Sequence, residues 1–411
     1  MKIFTKLCFV VCFSAIISVV ANAQETKTIE MGASYANEVY YSLEKGVVMT
    51  SPRNTWDIAF YTTAFSAGII TNDGAGVELY QYPDASNEGW NDFDTIGMSG
   101  WIRLYNDVSN WENGAFNRLE KGHPDYGWGI YSMTSHDVVG DSLFLIKTAD
   151  GKYRKLNIIR KRSTLNQYEI RYADLDGSND QTITLDAKPY ESKLFMAFSF
   201  TDGLIDREPD ADSWDLLFTR YLATVMNTPY PVVGVLLNPA TMAAEARGVG
   251  PEFDAWETLN YETGRDEIGH DWKTFDMGSF TYIMEDSLYF FVKGQDSSVY
   301  KITFNSFSGS ATGITSFDQE LISALSVPEN SISRNLVYPN PASSVLNINT
   351  PADEEGYFTI CNLAGQELSR IEFSKAANHS FNISGLENGL YIITVVTDTK
   401  QFSQKVIVIN E

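Results

Sequence analysis

Trp56-Asp57-Ile58-Ala59-Phe60 returns 158 positions later as Trp214-Asp215-Leu216-Leu217-Phe218. An apolar run led by Trp-Asp and rich in β-branched and aromatic residues reads as a strand. Its recurrence makes the chain a candidate duplication. Upstream, Tyr41-Ser42-Leu43 with Gly46 aligns with Phe198-Ser199-Phe200 with Gly203, and downstream Gly76-Val77-Glu78-Leu79 aligns with Gly234-Val235-Leu236-Leu237. Further on, Trp128, Tyr131 and Met133 align with Trp272, Phe275 and Met277, and Asp141-Ser142-Leu143-Phe144 with Asp286-Ser287-Leu288-Tyr289. Five blocks in one order define two tandem modules, 26–187 and 188–322, whose length differences fall in loops.

Each block reads as strand and turn. Leu143–Ile146 and Leu288–Val292 are short apolar runs that end in Asp150-Gly151 and Gln295-Asp296-Ser297-Ser298. Both are turn chemistry that leads into a further strand. Asp174 to Asp180 lies between Tyr168–Tyr172 and Thr182–Leu185, where a hairpin tip belongs. Its Asp174-x-Asp176-Gly177-x-Asn179 run lacks the flanking ligands of a calcium loop, since Tyr172 and Ile183 stand there. The expected exception to strand is a short helix over 239–247, from Pro239 to the stop at Gly248.

The ends read differently. Lys2 and Lys6, the apolar run Leu7–Val20 and Ala21-Asn22-Ala23 make residues 1–23 a signal peptide. The run is short for a membrane helix, and no later stretch is long enough for one. Cleavage would remove Cys8 and Cys12, leaving Cys361 without an internal disulfide partner. The formal charge of −23 excludes nucleic acid as an expected partner. A linker over 323–335 precedes a tail, 336–411, of short strands punctuated by Gly365, Gly385 and Gly389, read as a small Ig-like β-sandwich. The expected fold class is thus all-β: two tandem antiparallel β modules plus the C-terminal sandwich.

The tail resembles the C-terminal sorting domain of type IX secretion. The matching residues are Tyr338-Pro339-Asn340-Pro341, Asn362-Leu363-Ala364-Gly365-Gln366, Gly385-Leu386-Glu387-Asn388-Gly389-Leu390-Tyr391 and Lys405-Val406-Ile407-Val408. This resemblance implies partnership with the type IX machinery and a destination outside the outer membrane. The modules resemble the HmuY family of secreted haem-binding proteins. The likeness rests on Tyr41-Ser42-Leu43, Trp56 to Phe60, Phe144-Leu145-Ile146-Lys147 and Gly151-Lys152-Tyr153, and in the second module on Trp214 to Phe218 and Tyr289 to Lys293. It implies haem as cofactor, with axial donors presented in an apolar cleft, or capture of another small, flat hydrophobic ligand.

The best-known member of that family uses two histidines, and none here falls on its motif; methionine ligation occurs among its relatives. Met133 and Met277 align with the ligand strand, and His136 and His270 lie close by. These four are the candidate haem ligands. Haem capture requires two of them to face one apolar cleft. Against it, strand alternation puts Met133 on the face of Tyr131, the pattern of a core residue. The Trp-Asp pairs read as structural. No nucleophile elbow, phosphate loop, zinc-protease motif or Cys-x-x-Cys is present, so the expectation is a binding protein and not an enzyme. A second reading keeps the scaffold without haem, as a surface structural or adhesive protein.

Overall fold

A computed structural model describes residues 24–83, 87–323, 337–338, 340, 342–349, 355–362, 366–374, 378–397 and 401–409. The expected signal peptide, 1–23, and nearly all of the expected linker lie outside the described residues. Two compact units divide near residue 325.

The first unit opens with β1 (Glu25–Glu30), β2 (Asn37–Ser42), β3 (Gly46–Pro52), β4 (Ile58–Tyr61), β5 (Ile69–Thr71), β6 (Glu78–Gln81) and β7 (Arg103–Leu104). Then come β8 (Gly129–Tyr131), β9 (Asp137–Gly140), β10 (Leu143–Lys147), β11 (Tyr153–Arg162), β12 (Gln167–Asp174) and β13 (Gln181–Asp186). They are followed by β14 (Phe195–Ser199), β15 (Gly203–Ile205), β16 (Leu216–Val225), β17 (Thr228–Leu237) and β18 (Met242–Arg247). The unit closes with β19 (Lys273–Asp276), β20 (Thr281–Met284), β21 (Leu288–Lys293), β22 (Val299–Phe307) and β23 (Ile314–Ser323). Among the described residues, helix is limited to short 3₁₀ turns, none longer than Asn87–Asp92.

The chain is all-β, but its strands do not pair within the halves 26–187 and 188–322. In one spatial module, sheet β15-β14-β4-β5 faces sheet β13-β12-β11-β10-β6-β7. Its core runs from Ile58 and Phe60 through Trp128 and Ile158 to Met196 and Phe198. In the other, sheet β17-β16-β2-β3 faces β1-β23-β22-β21-β18. That core joins Ile29, Val39 and Tyr41 to Phe218, Trp272, Phe290 and Phe317. The division at 187/188 is therefore corrected: the first module is the continuous stretch β4–β15, and it interrupts the second, made of β1–β3 and β16–β23.

Hairpin connectivity explains the exchange. The turn at Asp174–Asp180 is so tight that β13 stays beside β12, register Gln167↔Asp186 to Tyr172↔Gln181. The strands that follow β13 then complete the first module. At the chain start, β1–β3 fill the matching positions in the second, with β1 on β23 and β2 on β16. The Trp-Asp motif records the same exchange. Trp56 and Trp214 are both buried. Asp57 accepts N–H bonds from Ala149 (2.7 Å) and Phe200 (2.8 Å), while Asp215 accepts them from Leu43 (2.8 Å) and Gln295 (3.3 Å). Each carboxylate thus holds a backbone from the other half of the sequence.

Two local expectations change. Gly234-Val235-Leu236-Leu237 lies in β17, and its structural counterpart is Gly68-Ile69-Ile70-Thr71, not Gly76 to Leu79. A Cβ on Gly68 would fall 2.4 Å from the Glu112 carbonyl oxygen, and one on Gly234 would fall 2.2 Å from that of Gly269. Both positions therefore require glycine. Residues 242–247 form strand β18 on β21 and not a helix. Ala243, Ala244 and Ala246 are buried on both faces of that strand, and packing of this kind overrides alanine's helix propensity.

Trp111 ties the modules together. Its Nε1 donates to the Leu237 carbonyl (2.7 Å), and its ring lies 5.9 Å from Phe195 and 6.4 Å from Trp214. Beside it, the buried Arg207 guanidinium binds Glu38 (2.9 Å) and the Tyr40 hydroxyl.

Among its described residues the second unit has seven strands: β24 (Val337–Tyr338), β25 (Val345–Asn349), β26 (Gly356–Cys361), β27 (Glu367–Phe373), β28 (Asn378–Asn382), β29 (Gly389–Thr397) and β30 (Gln401–Val408). Sheets β24-β25-β28 and β27-β26-β29-β30 share a core that includes Leu346, Ile348, Phe358, Val395 and Val406. Cys361 is a free thiol.

Candidate functional site

The haem-ligand candidates fall on two related hairpins. Trp128 anchors the first, fully buried with Nε1 donating to the Ala67 carbonyl at 2.9 Å. From it runs β8, paired with β9 from Gly129↔Gly140 to Tyr131↔Val138. At Ser132 the ladder stops. The Ser132 carbonyl accepts from the His136 N–H (2.8 Å), closing a turn in which His136 takes φ 61°. Met133 stands in that turn and is 71% exposed. The expected core role of Met133 is overturned, because alternation ends with the strand, two residues before it.

This turn gathers a cluster. His136 Nδ1 lies 2.7 Å from the Tyr131 hydroxyl, and the His123 ring centroid is 5.4 Å from that of Tyr131. His123 is not among the four candidates that the sequence offered. Only the fold brings it to Tyr131.

The second hairpin repeats the plan with other chemistry. Trp272 is buried and donates to the Gly269 carbonyl (3.1 Å). β19 and β20 pair from Lys273↔Met284 to Asp276↔Thr281. Asp276 organises the tip, accepting from the N–H groups of Gly278 (3.1 Å) and Ser279 (2.9 Å) and from the Ser279 hydroxyl (2.6 Å). These bonds, led by the hydroxyl, hold its carboxyl below the usual range. Phe280 takes φ 55°, matching His136. Met277 is 71% exposed, accompanied by exposed Phe275, Phe280 and Ile283.

His270 is apart from both tips. It is half-buried, with its ring 6.5 Å from Tyr221. Burial, reinforced by the Lys273 ammonium, lowers its pKa. Lys273 Nζ donates to the Val233 carbonyl (2.6 Å) and lies 3.7 Å from the Trp272 centroid. Burial pushes this amine down to about 7.

The structure thus brings Met133 and His136 together, places Met277 on another tip, and separates His270 from all three. None of the four lines the cavities of about 520 and 240 Å³ in this unit. Neither of these two cavities supplies the expected apolar cleft around them. The donors are suited to iron, a thioether and an imidazole on exposed chain, but their setting offers a porphyrin one face and no enclosure. Among the described residues no cluster of three or more His, Cys, Asp or Glu is placed to hold a metal ion.

Comparison with protein families now adds two findings. Residues 34–172 match the HmuY protein family, and residues 336–409 match the secretion-system C-terminal sorting domain. No curated protein matches the chain. The chain therefore carries one HmuY domain by sequence, running from before β2 to the end of β12 and contributing strands to both spatial modules. The sorting domain marks it for export to the cell surface or for secretion. Among the described residues no helix is long and apolar enough to cross a membrane.

Proposed function

We propose that the exported chain is a non-enzymatic binding protein that captures haem on the open β8–β9 hairpin, from one side and without the enclosing cleft the sequence reading required. One observation carries the reading: His136 is tied through Nδ1 to the Tyr131 hydroxyl, leaving Nε2 free three residues from the exposed Met133 thioether. A ligating imidazole is commonly oriented by a hydrogen bond at its other nitrogen. Tyr131 and His123 offer flat neighbours to a porphyrin. The HmuY match over 34–172 contains this hairpin. The second half, by its matching strand order and its Trp272 and Met277, is read as a further module of the same kind.

Haem titration of the chain lacking the sorting domain tests this. A Soret shift that saturates at a single equivalent, and that Met133→Ala with His136→Ala removes without lowering the melting temperature, is the expected result. A second reading is favoured by the β19–β20 tip, where Phe275, Met277, Phe280 and Ile283 are all exposed. That surface suits an adhesive contact that needs no haem. A flat haem spectrum would leave this second reading standing and remove the first.

A further inference from the structure

The outer face of sheet β1-β23-β22-β21-β18 holds a cavity of about 520 Å³ beneath the segment 249–261. Its floor follows from strand alternation. Ile302, Phe290 and Phe317 point into the module core, so their neighbours Lys301, Tyr289, Phe291 and Asp318 point outward. Lys301 stands opposite Phe291 on one side and Glu320 on the other, and Thr303 stands opposite Asp318. Trp256, from the covering segment, forms a wall.

The first module shows what this place holds when filled. There Lys155 stands opposite Leu145 and Ala173, and Asn157 opposite Arg171. By register, Lys155 matches Lys301, Ala173 matches Glu320 and Arg171 matches Asp318. Both lysines fasten a covering segment by donating to one of its carbonyls, Trp90 in the first module and Pro251 in the second. The Trp90 ring then lies down over the sheet, 4% exposed, with Lys155 Nζ 4.7 Å and the Arg171 guanidinium 4.5 Å from its centroid. In the second module Phe253 meets Phe291 with ring centroids 5.9 Å apart, but no residue of the covering segment is buried as fully as Trp90.

The charge is also reversed. Where the first module sets Arg171 and Ala173 around its indole, the second sets Asp318 and Glu320, and Glu252 and Asp254 stand at the rim. Four carboxylates thus surround one ammonium. Lys301 is already engaged, with Nζ 4.4 Å from the Tyr289 centroid. Asp318 accepts from Gln24 and Thr26 (both 2.6 Å). Glu320 is half-buried and faces the space.

We infer that this cavity is a binding site for an aromatic organic cation: a flat ring in the place Trp90 fills in the first module, and an ammonium toward Glu320 and Asp318. Apolar burial against Tyr289 and Trp256 holds the ring, and the carboxylates with the aromatic faces hold the charge. The inference is independent of the haem reading, since neither Met133, His136, Met277 nor His270 lines this cavity.

Calorimetric titration of the full chain without residues 1–23 tests it, with tryptamine as probe and indole-3-acetate as its charge-reversed match. Tryptamine should bind saturably at one site, with indole-3-acetate at least about tenfold weaker. Glu320→Gln should weaken tryptamine by about tenfold and Glu320→Lys should abolish binding, both with an unchanged melting temperature, because this side chain is partly exposed and bears no fold contact. Trp256→Ala should weaken both probes alike. Absence of saturable tryptamine binding would overturn the assignment. So would equal binding of the two indoles, or undiminished binding by Glu320→Lys.

Discussion

Cutting the chain at the sequence division and cutting it at the fold division should give opposite results. A fragment of residues 24–187 keeps a whole sequence half but loses β14 and β15. A fragment of residues 54–206 crosses the sequence division and keeps β4–β15. In the parent, β14 pairs with β4 from Phe195↔Tyr61 to Phe198↔Ile58. It places Met196 in the core beside Phe198, with Phe200 just beyond, each less than a tenth exposed. Burial of side chains of this size contributes about 1.5–3 kcal/mol each, so the three together contribute roughly 5–9 kcal/mol. A whole domain is stable by only about 5–15 kcal/mol. The 24–187 fragment should therefore lack a cooperative urea transition, and its β1–β3, without β16 and β23, should leave open edges that associate. The 54–206 fragment should unfold cooperatively, less stable than the parent because the face bearing Trp56, Ile70 and Trp111 becomes exposed. Urea titration followed by near-UV circular dichroism reads both. Cooperative unfolding of 24–187 at a midpoint equal to or above that of 54–206 would refute the interleaved arrangement.

Three further outcomes follow from particular contacts. Asp57→Ala and Asp215→Ala each strand two backbone N–H groups in the interior, at about 1–3 kcal/mol per group, so each variant should lose roughly 2–6 kcal/mol in denaturant titrations. Lys161 is fully buried, donating to the Thr63 carbonyl (2.8 Å), and burial pushes it down to about 7. The unfolded chain, with a lysine pKa of about 10.4, then binds more protons between pH 7 and 10. Over that window the parent should gain up to about 1.4 kcal/mol per pH unit relative to Lys161→Met, with no such gain below pH 7. Deletion of residues 336–409 should keep the protein from the cell surface and the medium, as read by fractionation and blotting.

How much of this was legible in the sequence depends on the range of the interaction. Strands announce themselves locally, and the apolar runs at Ile58, Leu143, Leu216 and Leu288 all fall in strands of the fold. The Trp-Asp motif also gave its structural role, because a large indole leading into an apolar strand fills core volume, and both pairs stand buried just before β4 and β16. Pairing is different. Nothing between Asn37 and Ser42 states that its partner lies at Leu216–Phe218, so the modules were read as consecutive. Met133 was misjudged for a local reason: alternation is valid only inside a ladder, and this one stops at Tyr131. The cavity under 249–261 was illegible because it depends on an indole, Trp90, filling a counterpart far away in sequence.

The interleaving also explains why the two hairpins can differ. The chain passes between the modules through residues 53–57 and 206–213. At these crossings lie Trp56, Arg53 and Arg207, all buried, with Arg207 held by Glu38 from β2. Removing either partner in the folded chain would leave the other charge buried and unpaired, a cost of several kcal/mol. Two crossings and one buried charge cluster therefore couple the modules into a single frame. The hairpins carry little of that load. Among the described residues β19 and β20 pair with each other, while β8 pairs with β9 and bridges from Ile130 to Asp125, and β9 reaches β11. What they require of the sequence is the anchoring Trp128 or Trp272 and a tip residue able to take positive φ. Within those limits the tip is free to change, from Met133 and His136 on one side to Met277 and Phe280 on the other. A frame that fixes position while leaving tip chemistry open is the arrangement from which a binding protein can alter what it captures without refolding.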